Sequence, residues 1–340
     1  SDNRTTAISN SNYQFIKSNL NLNKTNFFWK CKKINLFYEN GKKIINFLNF
    51  NEKNKKFMHI FQNKFLKDRL DKIVSSKKNI KIIKKNIEEI NTERGYVVQN
   101  KKKIFYDLII LSIGSLSKLY NSIDAGRSIR KNYKEVAITA IIKHDTKIEN
   151  AKQFFLKEGP LAILPLKKNI FSTVWSVNNK YFQDNEKNIR NILSQKLKTL
   201  LDIKKIKNIE HMKSFPINLS LKTKYFKKNI LILGDGLHTV HPIAGQGFNL
   251  VLRDVKKLTE LTNHTLRLGM SFQDSFLLKN FYNARKPENN LFGIGINLTN
   301  LFFKDNKYLS VFKKGILNNI NNFDFLKKIS QSVADKGISL

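Results

Sequence analysis

The order of apolar and polar positions divides the chain into helix-like and strand-like stretches. Residues 57–74 predict a helix, with Phe57, Ile60, Phe61, Leu70 and Ile73 returning to one face. Short strands are predicted over 80–110: Ile80-Lys81-Ile82-Ile83, Gly95-Tyr96-Val97-Val98 and Tyr106-Asp107-Leu108-Ile109-Ile110-Leu111. The last run is largely apolar and ends at Gly114, the pattern of a buried strand in a mixed or parallel sheet. Between 136 and 177, three apolar runs are separated by charged turns: Val136 to Ile142, Gly159 to Leu164 and Ile170 to Trp175. They predict an antiparallel sheet. A helix is predicted at 185–201. Asn229-Ile230-Leu231-Ile232-Leu233 returns to the buried-strand pattern and leads through a Gly-rich turn into a helix over 247–267, with Phe248, Val251, Leu252, Val255 and Leu258 at helical spacing. Buried strands therefore flank an antiparallel middle, which implies an α/β unit interrupted by a β-rich insertion. The expected units are 1–125 together with 215–290, an inserted sheet over 126–214 that part of 30–56 joins, and a helical C-terminal segment over 291–340.

Composition changes this picture in one respect. At 340 residues the chain can bury one large or two joined cores, and 41% of it is hydrophobic. Against 26 Asp+Glu stand 62 Lys+Arg, a formal charge of +36. Such a charge suits nucleic acid or an anionic membrane surface. The lysines are spread along the whole chain, however, Lys far outnumbers Arg, and no RNA-binding signature is present, so nucleic acid is not an expected partner. The single Cys31 excludes an internal disulfide and suits a reducing compartment. No apolar stretch reaches the ~18 residues that span a bilayer. The longest candidate, Leu291 to Phe303, is broken by Asn297 and Asn300. The chain opens with the polar run Ser1-Asp2-Asn3-Arg4 rather than a signal peptide, and the expected location is cytoplasmic or peripheral at an inner membrane.

The stretch that carries chemistry runs from Gly234 to Asn249: Gly234-Asp235-Gly236-Leu237-His238-Thr239-Val240-His241-Pro242-Ile243-Ala244-Gly245-Gln246-Gly247-Phe248-Asn249. Gly234 allows a sharp turn as the chain leaves the sheet. Asp235 then offers a carboxylate at a strand's C-terminal end, where α/β ligands bind, and it suits sugar-like hydroxyls rather than phosphate. Gly245 and Gly247 let backbone approach a flat ligand. The helix that starts there presents unpaired N–H groups and a positive dipole end, able to stabilise negative charge.

These residues, followed by Leu252-Arg253-Asp254-Val255, resemble the second flavin-binding motif of FAD-dependent aromatic-ring monooxygenases, in particular the ubiquinone-biosynthesis hydroxylases (UbiH/UbiF-like). Further segments agree in order: Asp2-Asn3-Arg4-Thr5-Thr6-Ala7-Ile8-Ser9, the core Glu158 to Leu166, Val174-Trp175-Ser176, and Tyr282 with Arg285-Lys286-Pro287. The similarity covers nearly all of 1–290. It implies an FAD-binding α/β domain with an inserted antiparallel substrate sheet. It also implies NAD(P)H or another donor as reductant, and hydroxylation of a polyprenylated phenol drawn from a membrane. Peripheral contact with anionic lipid and membership of a ubiquinone-biosynthesis complex belong to the same expectation. The cofactor residues it implies are Arg4, Gln62, Gly234, Asp235, Pro242, Gly245, Gln246, Gly247, Phe248 and Asn249. No catalytic side chain and no metal ligand is assigned.

Two departures stand out. The family's opening Gly-x-Gly-x-x-Gly unit occurs nowhere in these residues, so weak FAD binding by them alone is expected. The family's Ala-Asp-Gly corresponds to Ser112-Ile113-Gly114, with Ile113 in the acidic place. Both features leave open an alternative, a degenerate non-catalytic member acting as a structural partner. His238 and His241 are read as loop residues near the flavin, Trp175 as sheet packing and Lys101-Lys102-Lys103 as a solvated turn. Arg4 has two readings, a pyrophosphate contact or a solvated arginine. Gln62, beside Asn63 on the first predicted helix, is either a flavin neighbour or a surface residue.

Overall fold

The computed structural model describes residues 4–22, 27–51, 57–114, 117, 119–122, 128–242, 245–303 and 335. Its largest element is an eight-stranded sheet in the order His238–Thr239, Ile206–Lys222, Ser128–His144, Ile170–Asn178, Gly159–Lys167, Ala151–Leu156, Lys33–Asn40, Lys43–Asn51. Neighbours are antiparallel except Ala151–Leu156 and Lys33–Asn40, which run parallel. The antiparallel middle is thus as the apolar runs and charged turns predict, and the hairpin over 33–51 extends the same sheet. The strand Ile206–Lys222 runs without interruption through the expected boundary at 214/215.

The two faces of this sheet have different coverings, as the period of two requires. Ile138, Ile142, Phe171 and Trp175 face the helix Ile189–Leu201. That helix buries Ile189, Leu193, Leu197 and Leu201, one residue per turn on a single stripe. Trp175 is fully buried there, in keeping with its reading as packing. On the opposite face Ala137, Ile217, Leu219 and Leu221 meet Leu250, Phe292 and Ile296 from two other helices, Gln246–Arg267 and Phe276–Phe303.

The parallel element is smaller. Ile109–Leu111 pairs parallel with Ile230–Ile232, which pairs antiparallel with Phe226–Lys227. Beneath it Leu258, Leu277, Leu278 and Phe281 form a second core. A three-stranded sheet, in the order Thr5–Ser9, Met58–Gln62, Trp29–Cys31, stands at the start of the chain.

Several expectations are corrected. The helix over 57–74 is a strand, Met58–Gln62, followed by a helix, Asn63–Ser75. The strand is central in its sheet, so His59, Ile60 and Phe61 are buried in succession and alternation does not betray it. The helix Asn10–Leu20 was not foreseen; Tyr13 and Ile16 are the only apolar side chains it buries, and Ser9 caps it by accepting from the Asn12 amide. Ile80, Ile82 and Ile83 are not a strand but exposed, irregular chain, because lysines interrupt the run and no neighbouring strand pairs with it among the described residues. The run over 106–111 is a strand only at Ile109–Leu111, and Ile110 is 45% exposed, because one face of this strand is uncovered among the described residues. The C-terminal helix is continuous over Phe276–Phe303 and spans the expected limit at 290/291. Of the segment expected beyond it, 304–334 and 336–340 lie outside the described residues, as do Ser1-Asp2-Asn3 and Ile243-Ala244 of the motifs.

Candidate functional site

The motif of 234–249 folds as a sharp exit from the sheet, a short return strand and a helix start. After Ile230–Ile232 the chain makes a 3-10 turn at Gly234–Gly236. Gly234 (φ +77°) and Gly245 (φ +62°) both occupy the left-handed region, where a side chain is strained. The hydroxyl of Thr239 donates to the Asp235 carbonyl (3.1 Å), tying the turn to the return strand His238–Thr239. Gly236 serves packing: a Cβ there would lie 1.9 Å from the Tyr120 hydroxyl. That hydroxyl donates to the Gly114 carbonyl at 2.7 Å, so the departing segment Ser112-Ile113-Gly114 is latched to the turn while Ile113 itself is exposed.

Gly245 precedes the 22-residue helix Gln246–Arg267, whose N-terminus has no side-chain cap and no acid in its first turn. Its leading N–H groups and dipole end therefore keep their capacity for a negative group. Asn249 anchors this start. Its Oδ1 accepts from the Ser9 amide and the Asn12 Nδ2, both at 2.8 Å, and its Nδ2 donates to the carbonyls of Ala7 and Gly245, both at 3.0 Å. The helix start is thereby fixed to the first strand of the chain.

Both segments border one cavity of about 1540 Å³. Arg4, Gly234, Asp235, Pro242, Gly245, Gln246, Gly247, Phe248 and Asn249 all line it. Gln62 does not: it occupies the strand end before the helix Asn63–Ser75, and its neighbour Asn63 forms the wall, accepting a hydrogen bond from the Thr6 hydroxyl at 2.5 Å. The far wall is apolar and comes from the large sheet and the last helix, through Leu48, Phe155, Leu164, Val174, Leu298 and Phe302.

Two side chains of the cavity wall differ from expectation, one unassigned in the sequence and one expected in a loop near the flavin. Lys152, on a strand of the large sheet, lines the apolar side, and burial lowers its pKa from the ordinary lysine value. Its signal was faint: a lysine inside the apolar run Ala151 to Leu156. The second is His238, which is not a loop residue. It is buried, lines the cavity, and places Nε2 2.6 Å from Asp254 Oδ2, while Nδ1 has no hydrogen-bond partner among the described residues. Asp254 also accepts from Arg285 Nε (2.6 Å) and Asn289 Nδ2 (3.2 Å). Burial alone would raise the Asp254 carboxyl, but His238 and Arg285 outweigh it and hold its pKa below the ordinary value. Nearby, burial drops the Arg253 guanidinium to about 10 despite Glu288. His241 lies in irregular chain as expected, but it does not line the cavity: it is buried with Nε2 2.8 Å from Glu135 Oε2. Among the described residues no cluster of three His, Cys, Asp or Glu side chains is disposed to hold a metal ion.

This architecture fits a flat, dianionic cofactor. The volume exceeds the roughly 300–1,000 Å³ of pockets for drug-sized ligands, leaving room for a flavin and an aromatic ring together. The glycine backbone and uncapped helix end lie at its polar side, as close approach to such a ring requires.

Comparison with known proteins agrees. Residues 124–267 match the FAD binding domain family. The chain is 26% identical over 290 residues to the ubiquinone biosynthesis monooxygenase COQ6 of Dictyostelium discoideum, covering 72% of this chain and 58% of that protein. It is 29% identical over 207 residues to the ubiquinone hydroxylase UbiL of Rhodospirillum rubrum, covering 58% and 47%. It is 23% identical over 266 residues to the 3-demethoxyubiquinol 3-hydroxylase of Escherichia coli, covering 74% and 60%. The chain thus spans about half to three-fifths of the length of these relatives. Among solved structures it resembles p-nitrophenol 4-monooxygenase PnpA of Pseudomonas putida (TM-score 0.77, 12% identity, 99% of this chain and 89% of that one). It also resembles PqsL of Pseudomonas aeruginosa, a probable FAD-dependent monooxygenase (TM-score 0.72, 16% identity, 96% and 90%). The fold is that of these flavin-dependent monooxygenases, and the chain is similar over 124–267 to FAD binding domains and, at 23–29% identity, to hydroxylases and monooxygenases of ubiquinone biosynthesis.

Proposed function

We propose that these residues form the greater part of an FAD-dependent monooxygenase that hydroxylates the ring of a polyprenylated phenol in ubiquinone biosynthesis. The observation that carries this reading is the cavity, with a glycine-lined helix end on one side and an apolar sheet wall on the other. In this reading 1–125 and 215–290 bind the cofactor, and 126–214, joined by the hairpin over 33–51, binds the substrate. Bound FAD, reduced by NAD(P)H or another donor, supplies the oxygen chemistry. The chain's own residues do the rest. Gly245, Gln246, Gly247 and Phe248 present helix-end N–H groups to negative charge on the flavin ring. Asp235 accepts hydrogen bonds from sugar-like hydroxyls, Pro242 borders the ring, and Arg4 reaches the pyrophosphate. Asn249 holds the helix start in register. Phe155, Leu164 and Val174 exclude water from the phenol ring. Lys152, on the apolar wall, is placed to pair with the phenol oxygen and favour its ionised, electron-rich form. Anionic lipid and a biosynthetic complex are the proposed partners.

The test supplies the full-length protein with FAD, NAD(P)H and a detergent-dispersed prenylated phenol under ¹⁸O₂. The expected product carries one labelled oxygen on the ring. NAD(P)H oxidation with no labelled ring product overturns the hydroxylation, and no turnover at all, with FAD demonstrably bound, overturns the enzymatic assignment and favours a non-catalytic structural partner, the reading that Ile113 in an acidic place supports.

A further inference from the structure

The last helix carries an apolar ridge that the proposed chemistry does not absorb. Leu291, Ile294, Leu298 and Leu301 are 43%, 53%, 58% and 44% exposed. At ~100° per residue they fall within an arc of roughly 80° on one side of the helix. Phe292 and Ile296 occupy the opposite, buried side. From Asn289 to Phe303 the helix has no Asp, Glu, Lys or Arg, in a chain whose formal charge is +36.

The ridge has two neighbours that bear on its use. Leu298 and Leu301 also line the large cavity, so the ridge runs into the cavity mouth. Along its flank lie Ile129 and Lys131. Ile129 is 55% exposed and pairs across the sheet with Leu221, the side chain that packs on Gly293 of the helix. Lys131, on the same face of its strand as Ile129, donates to Asn297 Oδ1 at 2.9 Å. An apolar ridge with a lysine beside it, on a chain of formal charge +36, is the layout of an interfacial helix, whose side chains enter the acyl boundary while cationic groups meet headgroups.

We infer that this ridge docks the protein on an anionic bilayer, with the cavity mouth against the membrane so that a prenyl chain passes into the site without crossing water. The inference rests on the proposed substrate for its purpose, though not for its geometry. A second copy of the chain is a poor occupant, because each copy brings +36. A protein partner needs about 800 Å² from each side, more than five half-exposed side chains on a convex ridge offer.

The experiment is flotation of the full-length holoprotein with phosphatidylcholine vesicles, with and without phosphatidylglycerol, in the absence of substrate. Binding is expected with phosphatidylglycerol and should weaken with salt. Leu291→Gln/Ile294→Gln should reduce it at least about tenfold. The control Ile82→Gln/Ile83→Gln, which removes equally exposed side chains elsewhere, should leave it unchanged. Equal flotation of wild type and the helix variant, or equal loss in the control, overturns the proposal. So does a lower melting temperature or an altered oligomeric mass of the helix variant, since either means that protein covers the ridge. If flotation fails while dispersed substrate is still hydroxylated, only the docking surface is wrong; if flotation succeeds without hydroxylation, only the enzymatic reading is.

Discussion

Replacing Asn249 by alanine tests whether the helix start is built or merely adjacent to the ligand. The side chain joins four groups: the Ser9 amide, the Asn12 side chain and the carbonyls of Ala7 and Gly245. Ser9 and Ala7 are 6% and 4% exposed, so water does not readily replace what alanine removes. Leaving one buried donor and one buried acceptor unsatisfied costs about 1–3 kcal/mol each, or roughly 2–5 kcal/mol in total after local relaxation. At about 2.1 cal/mol/K of unfolding entropy per residue, that lowers the melting temperature of a chain this size by roughly 3–7 °C. FAD affinity should fall as well, because the Gly245–Phe248 backbone loses its register with Thr5–Ser9. The assays are thermal unfolding of the apoprotein and FAD titration by flavin fluorescence. Asn249→Asp should be worse than alanine, since it sets a carboxylate against two carbonyl oxygens. An alanine variant that melts like wild type yet binds FAD tenfold more weakly would refute the reasoning. Asn249 would then be a direct ligand rather than an anchor.

Two further substitutions separate ligand contact from structure. Asp235→Ala should leave the melting temperature unchanged, because the turn is held through the Asp235 backbone carbonyl and its exposed carboxylate makes no hydrogen bond among the described residues. It should weaken FAD by roughly 1.5–3 kcal/mol, about ten- to a hundredfold. An apoprotein that melts much earlier while binding FAD normally would make Asp235 a turn residue and undo the site assignment. Asp254→Asn should do the reverse, destabilising the fold by about 3–5 kcal/mol because Arg285 and His238 lose a buried partner. The folded-state pKa of Asp254 lies below its ordinary 3.8, so its stabilisation is present in full above that value and is lost as pH falls through the folded value. Urea unfolding from neutral pH down to about pH 3 should therefore show a flatter acid limb in the Asn variant. Parallel limbs would show that Asp254 is not the group responsible.

The parts of the fold that were legible in the sequence are those where local pattern and final environment coincide. Val136 to Ile142 and Ile170 to Trp175 were legible as apolar runs because charged turns bound them and both faces of the sheet they form are covered. The helix over 246–267 keeps its period because one side is core and the other solvent. Met58–Gln62 was not legible because a strand buried on both faces has no alternation, and its apolar residues continue into a helix that has some. Ile80, Ile82 and Ile83 failed for the opposite reason: the residues suit a strand, but a strand exists only where a partner supplies its hydrogen bonds, and sequence does not show the partner.

The candidate site divides along the same line. One half is backbone work, and backbone work leaves a contiguous trace: glycines at positive φ, an acid after a buried strand, a helix start. Nine of the ten expected residues border one cavity, eight of them in this one trace, and Gln62, at the end of a strand whose pattern reads as helix, does not. The other half is shape. Leu48, Phe155, Leu164 and Leu298 arrive from four elements spread along the chain, and an apolar wall needs no particular residue at any one place. The long-range polar contacts are equally silent: the Ser9 amide meets Asn249 across 240 positions, and His238 looked like a flavin-loop residue until Asp254 and Arg285 converged on it. An apolar wall tolerates changes of residue that a glycine-lined helix start does not, so in the proposed reading specificity is to be sought first at Lys152 and along the wall from Phe155 to Leu298.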